Sequence, residues 1–272
     1  MRVFRKLLIL IVALAVLAAA GAGLWLWQGL QTLKQPVALD EPVLFSVEQG
    51  TSFGRLAQKL SDDGLVSDPL WLKLYGRLNP EQTRIKAGDY ELQPGMTPLA
   101  MLDTMVQGKV KLWSVQFIEG WTFSDMRTAL ANSRRLRKET TDWTDEQVME
   151  AVGAEGQHPE GWFFPDTYMF SGSETDLDIL KRAHNRMTAV LEEEWENREE
   201  GLPYSSPYEA LIMASIVERE TGVAYERQQV AGVFVRRLQK GMRLQTDPTV
   251  IYGMGDSYDG RIRTRDLRAY TP

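Results

Sequence analysis

VEQGTSFGRLAQKL, residues 47–60, returns in altered form as LQPGMTPLAMLDTM (92–105) and FIEGWTFSDMRTAL (117–130). Each copy places a glycine, a Ser or Thr two residues on, and Leu or Met six and ten on. The sets are Gly50/Ser52/Leu56/Leu60, Gly95/Thr97/Met101/Met105 and Gly120/Thr122/Met126/Leu130. Apolar residues four apart share one face of a helix, and a Ser or Thr ahead of them accepts hydrogen bonds from the free amides of the first turn. Each copy therefore predicts a strand, a glycine turn, an N-cap and an amphipathic helix. Three such units predict a small β-turn-α repeat domain over residues 43–132 of an α+β chain.

Toward the N-terminus lies Leu7 to Trp27, LLILIVALAVLAAAGAGLWLW, a run without a charge. As a helix it is about 31 Å long, enough to cross a hydrocarbon core of roughly 30 Å. A cleaved signal peptide has a shorter apolar core, of about 7–15 residues, and the small residues Ala18 to Gly23 offer it a cleavage site. The run continues through Leu24, Trp25 and Trp27, however, and two tryptophans at its end suit a membrane interface, so a retained anchor is expected. Arg2, Arg5 and Lys6 are expected to hold residues 1–6 in the cytoplasm by the positive-inside rule, which places the rest of the chain on the far side of the membrane. Gln28 to Pro42 (residues 28–42) reads as a linker.

Formal net charge is −6. Residues 1–40 carry +3 (Arg2, Arg5, Lys6 and Lys34 against Asp40), leaving −9 on residues 41–272. An acidic ectodomain argues against nucleic acid or anionic lipid as the main partner. With no cysteine there is no disulfide and no thiol chemistry, and two histidines 26 apart, His158 and His184, make a zinc site or a Ser-His-Asp triad unexpected. No metal and no organic cofactor is called for.

VLFSVEQGTSFGRLAQKLSDDGLVSDPLWLKLYGRL (43–78) resembles a LysM module, a small fold that in many cell-wall proteins cradles N-acetylglucosamine chains. The competing reading is that the repeats only build a scaffold. Residues 133–158 are polar, with a short helix expected over Thr144 to Met149, and read as a connector to a second domain, 159–272. That domain opens with EGWFFPDTYMF (160–170), whose aromatic residues suit either a core or a sugar-stacking surface. A long helix follows over Leu177 to Arg198. Ser206-Pro207-Tyr208-Glu209 reads as a capping box with proline at the first helical position, and the apolar run Ala210 to Val217 then predicts a buried central helix. Glu218 follows at once, on the side of Leu211, Ala214 and Ser215. If that side is shielded, burial favours the protonated carboxyl and suits a proton donor. The alternative is an ordinary ion pair with Arg219 or Arg227. Another helix is expected over Glu226 to Lys240 with Val230, Val233, Phe234 and Leu238 inward. MRLQTDPTVIYGMG (242–255) then reads as an extended loop bearing Gln245, Thr246, Asp247, Thr249 and Tyr252.

The blocks EGWFFPDTY (160–168), MASIVERET (213–221) and RLQTDPTVIYGMG (243–255) resemble those of the MltG (YceG-like) family of endolytic murein transglycosylases, membrane-anchored enzymes with a LysM-like segment before a catalytic domain. The resemblance implies that Glu218, first glutamate of the E-x-E-T motif, is the catalytic acid. It implies that Glu160, Asp166, Gln245, Thr246, Asp247 and Tyr252 line the substrate cleft, and that the bond cut is the β-1,4 link between N-acetylmuramic acid and N-acetylglucosamine, leaving 1,6-anhydro ends. Peptidoglycan strands near the membrane are then the substrate, and peptidoglycan synthases are candidate partners. A glycan hydrolase using Glu218 with Asp247, or a non-catalytic wall-binding scaffold, would account for the same residues differently. One departure from the family pattern is the stop at Tyr270-Thr271-Pro272, where members continue past a comparable Y-N-T-Y block, so a C-terminally truncated catalytic domain is expected.

Overall fold

The computed structural model describes residues 2–269; the terminal Tyr270-Thr271-Pro272, on which the expectation of truncation rests, lies outside the described residues. The chain divides into two compact units, the first comprising 1–113 with 171–173 and the second 114–170 with 174–272.

In the first unit α1 (Arg2–Thr32) is a single helix. Its stretch Phe4–Thr32, whose most apolar 18-residue window has a mean hydropathy of 2.8, is long and apolar enough to cross a membrane. The helix does not end where the apolar run does. It continues through residues expected as linker, and Leu33, fully buried, enters the core with Leu30, Val37 and Leu39 packed against it. The amide of Val37 donates to the carbonyl of Met96 at 2.9 Å, and that of Leu99 to Leu33 at 3.2 Å. Gln28 to Leu39 is thus built into the unit, because its apolar residues have a core to fill.

Strand β1 (Val43–Val47) is followed by α2 (Phe53–Asp62), α3 (Pro69–Leu78), β2 (Gly88–Leu92) and α4 (Pro98–Gln107). β1 and β2 pair antiparallel, Phe45 opposite Tyr90 and Val43 opposite Leu92. Alternation sends Phe45, Val47, Tyr90 and Leu92 inward onto Leu56, Leu60, Leu72, Met101 and Met105.

The repeat is present at all three sites. Gly50, Gly95 and Gly120 have φ of 78°, 83° and 77°, the left-handed region that glycine occupies at little cost. Ser52, Thr97 and Thr122 cap the helices that follow, accepting from Arg55 N at 3.4 Å, Ala100 N at 3.1 Å and Asp125 N at 3.2 Å. All six predicted inward residues are buried. The third copy, however, falls in the second unit. It consists of β3 (Trp113–Gln116) and α5 (Phe123–Asn132), and β3 pairs with β4 (Thr167–Phe170). Phe123 stacks on Phe163 with centroids 4.8 Å apart, so the helix has its apolar partner among later residues.

The segment 133–158 is likewise packed. It contains α6 (Asp145–Ala151), with Thr144 and Gln147 forming a capping box, and buries Leu136, Val148, Met149 and Ala154. Buried Asp176 holds it down, accepting from Glu139 N at 2.8 Å and from the Thr140 hydroxyl at 3.0 Å. Asp176 also begins α7 (Asp176–Glu196), which buries Leu177, Leu180, Ala183 and Met187.

Helix α8 (Pro207–Glu220) starts where expected, Ser206 accepting from Glu209 N at 3.3 Å. The Glu209 carboxylate does not complete the box. It accepts from Ser205 N and Ser205 Oγ, both at 2.8 Å, and these bonds hold its pKa below the ordinary value. Nor is α8 a buried central helix. Only Met213, Ile216 and Val217 are buried, against Phe234 of α9 (Arg227–Gln239), while Ile212 is 46 % exposed. An apolar sequence shows what a helix is able to bury; how many faces are covered depends on its neighbours. In α9 the same lesson holds, with Phe234 buried and Val233 exposed. Finally, Asp247–Met254 is not extended but a short helix, α10, with Pro248 in its first turn, where proline's fixed φ and missing amide suit a helix start.

Candidate active site

The E-R-E-T turn at the end of α8 has three polar side chains aimed three ways. Glu220 Oε2 accepts from the hydroxyl of Thr246 at 2.9 Å, tying α8 to the start of α10. Thr221 Oγ1 donates to Glu226 at 2.9 Å and accepts from Val223 N at 3.1 Å, which folds the chain back into α9. The returning chain brings Arg227 to Glu218, with Nη2 to Oε2 at 3.0 Å. Glu218 is therefore the ion pair that the sequence offered as the alternative to a shielded donor, its side chain 28 % exposed. Its face of α8 is open: Leu211 is half-buried and Ala214 and Ser215 are exposed.

Opposite this face lies the glycine turn of the third repeat. A Cβ on Gly120 would stand 3.0 Å from Arg219 Cδ and 3.8 Å from Glu218 Cγ. Arg219 Nη1 donates to the Gly120 carbonyl at 3.4 Å. The repeat glycine thus has a second reason to lack a side chain, which its pattern in the sequence did not disclose.

Glu160-Gly161-Trp162 joins the same two elements. The Glu160 carboxylate accepts from Phe123 N, the first amide of α5, at 3.1 and 3.2 Å. Burial pushes its pKa up; the Phe123 amide and the charge of His158 oppose this. Gly161 has φ 83°, and a Cβ there would be 3.2 Å from Leu211 of α8. Trp162 stacks parallel on Tyr208 with centroids 5.4 Å apart, and its ring also meets that of His184 at 5.9 Å. Tyr208 and the Trp162 stack were not singled out from sequence, where the aromatic residues of this block read equally as core; Phe163, Tyr168 and Phe170 are core.

The remaining predicted residues divide. Tyr252 on α10 is 55 % exposed, and its phenol pKa is raised by partial burial of the ring and by the charges of Glu160 and Tyr208. Gln245 has φ 55°, the sole left-handed non-glycine among the described residues. Arg237 grips this segment, donating to the carbonyl of Leu244 and to Gln245 Oε1 at 3.4 Å. Asp247 is exposed at the start of α10. Thr246 is buried with its hydroxyl engaged by Glu220, which makes it a brace rather than a free hydrogen-bonding group in a cleft. Asp166 lies on the stretch before β4, where its Oδ1 accepts from Thr167 N at 2.7 Å and its carbonyl from Phe117 N at 3.0 Å. Among the described residues no group of three or more His, Cys, Asp or Glu could hold a metal ion.

A profile described as the YceG-like family matches residues 45–272. The chain is 26 % identical over 261 residues to an endolytic murein transglycosylase of Bacillus subtilis, covering 89 % of this chain and 72 % of that protein. It is 24 % identical over 251 residues to one of Streptococcus pneumoniae, covering 78 % of this chain and 43 % of that protein. A crystal structure of a yceG-like protein from Listeria monocytogenes aligns with a TM-score of 0.48 at 25 % identity, covering 86 % of this chain and 82 % of that one.

Proposed function

The chain belongs to the YceG-like family, and from that premise we propose that it is a membrane-anchored endolytic transglycosylase of peptidoglycan with Glu218 as its catalytic acid. The relatives named for this activity support the reaction class. The observation that carries the residue assignment is the placing of Glu218 on the open flank of α8, between Arg227 and the side-chain-free turn at Gly120.

The bond cut is the β-1,4 link between N-acetylmuramic acid and N-acetylglucosamine. Protonated Glu218 gives its proton to the glycosidic oxygen as the C1–O bond breaks. The resulting carboxylate accepts the proton of the muramic acid C6 hydroxyl, whose oxygen bonds to C1 and closes the 1,6-anhydro ring. No water is consumed, and one carboxyl serves in both directions. A hydrolase of the usual kind needs two, about 5–5.5 Å apart for retention or roughly 6.5–9.5 Å for inversion. Arg227 parts from Glu218 for the donor to be protonated and then stabilises the carboxylate. Gln245, Asp247, Tyr252 and Glu160 hold the strand. The left-handed backbone at Gln245 supports that role, because such strain persists where surrounding contacts over-determine a conformation, often at functional sites. The strand-helix-helix-strand order of the first unit supports a LysM-like module that keeps glycan close.

Glu218→Gln should retain the wild-type melting curve and lose cleavage of peptidoglycan by at least ~100-fold, the lower range of a lost acid-base group. Mass spectrometry of wild-type products should find ends one water lighter than reducing ends. Cleavage by the Gln variant removes the assigned acid; reducing ends replace the transglycosylase with a hydrolase.

A further inference from the structure

The first unit carries an apolar stripe that its own core covers only at the middle residue, Leu74, leaving both ends exposed. On α3, Leu70 is 45 % exposed and Leu78 65 % exposed, with half-buried Leu74 between them. At 100° per residue these three advance only 40° at each step, so they form one band along the helix. Lys73 and Arg77 border the band on one edge, and Trp71 lies on the other, 20° beyond Leu78. An apolar band edged by basic residues is the pattern of a helix lying in a membrane interface, where long cationic side chains reach back to the headgroups.

The position of α3 relative to α1 identifies the surface it meets. Trp71 packs edge-on against Trp25, with centroids 4.6 Å apart and planes at 63°. A side chain at Gly29, one turn further along α1, would overlap the Trp71 ring. Trp25 belongs to the apolar run of α1, two residues from its end, so its depth is that of the bilayer boundary. Trp71 must share that depth, since α1 is unbroken to Thr32 and Leu33 is locked in the core of the unit.

We propose that α3 is a second membrane contact of this protein, its Leu70–Leu74–Leu78 band seated at the headgroup–acyl boundary of the bilayer that α1 crosses. This rests on the reading of α1 as a retained anchor. The occupant is lipid rather than glycan or protein, because the band continues the apolar surface of α1 through the Trp25–Trp71 contact. The first unit is then fixed against the membrane instead of swinging on a tether.

The chain has no cysteine, so Leu70→Cys and Leu78→Cys, both at exposed positions, accept a single environment-sensitive fluorophore. Glu48→Cys, on the turn after β1, is the control. Full-length protein is reconstituted into phosphatidylcholine vesicles with and without doxyl-labelled lipid. Quenching at positions 70 and 78 should exceed that at 48 by at least twofold, and Trp71→Ala should reduce the excess. Quenching at 70 and 78 equal to the control, in protein that floats with the vesicles, overturns the α3 contact while leaving the anchor and the glycan chemistry standing. Failure to float overturns the anchor and this contact together. Neither outcome depends on cleavage.

Discussion

The three repeat glycines allow backbone strain to be separated from crowding at the proposed active site. Gly50, Gly95 and Gly120 have φ within 6° of one another, 78°, 83° and 77°, so alanine at each meets the same left-handed penalty, roughly 1–2 kcal/mol. At Gly50 and Gly95 nothing lies within 4 Å of the added Cβ, and that penalty is the whole effect. For units of this size it corresponds to a fall in melting temperature of roughly 3–8 °C. At Gly120 the new methyl meets Arg219 Cδ at 3.0 Å and Glu218 Cγ at 3.8 Å. Arg219 must withdraw by a few tenths of an ångström, its 3.4 Å bond to the Gly120 carbonyl weakens, and the turn bearing Glu218 shifts with it. A misplacement of about 1 Å at a reacting group can cost ~100-fold, so a few tenths should cost ~3–10-fold in kcat/KM, or about 0.7–1.4 kcal/mol in the transition state. Melting curves of the full chain in detergent and initial rates on intact glycan strands test this. Gly50→Ala and Gly95→Ala should share the stability loss and keep the wild-type rate. Equal rates for all three variants would refute the proposed role of Glu218 beside the Gly120 turn.

Asp176→Ala should destabilise by about 3 kcal/mol in chemical denaturation, because it strands the buried amide of Thr140 and the part-buried amide of Glu139; a loss below ~1 kcal/mol contradicts the brace. His184 is buried with neither ring nitrogen partnered, and burial pushes its pKa down. The unfolded chain therefore takes up a proton that the folded one refuses as pH falls below ~6.5, and stability drops in that direction. His184→Leu should flatten the fall in melting temperature between pH 7.5 and pH 5, and an unchanged slope would count against it. Glu160 has the opposite sign: its raised pKa makes its contribution greatest below the ordinary Glu value of ~4.3, and that contribution is lost as pH rises through the raised one. Glu160→Gln keeps an acceptor for Phe123 N and should remove that loss, seen as a shallower decline in stability from pH 4 to pH 7.

The local code was legible wherever one residue and its near neighbours set the outcome. The N-caps at Ser52, Thr97 and Thr122, the glycines with positive φ, and the start of α8 at Ser206 all depend on contacts within a few positions, and each formed as the sequence predicts. The apolar length of α1 is likewise a property of composition alone. The blocks around Glu218 were readable for another reason: their combination resembles one family, and a profile of that family covers residues 45–272.

What the tertiary structure decided concerns partners distant in the chain. The third repeat reads like the first two, yet it joins the second unit because Phe163, forty residues later, offers its helix a stacking surface. The segment 28–42 reads as a linker until Leu33 finds a core. Thr246 and Glu218 both read as polar residues of a cleft, but Glu220 engages the first and Arg227 reaches the second. Periodicity tells which side chains share a face. Only packing tells whether that face is covered, and by what, because the free energy of burial depends on surfaces contributed from elsewhere in the chain.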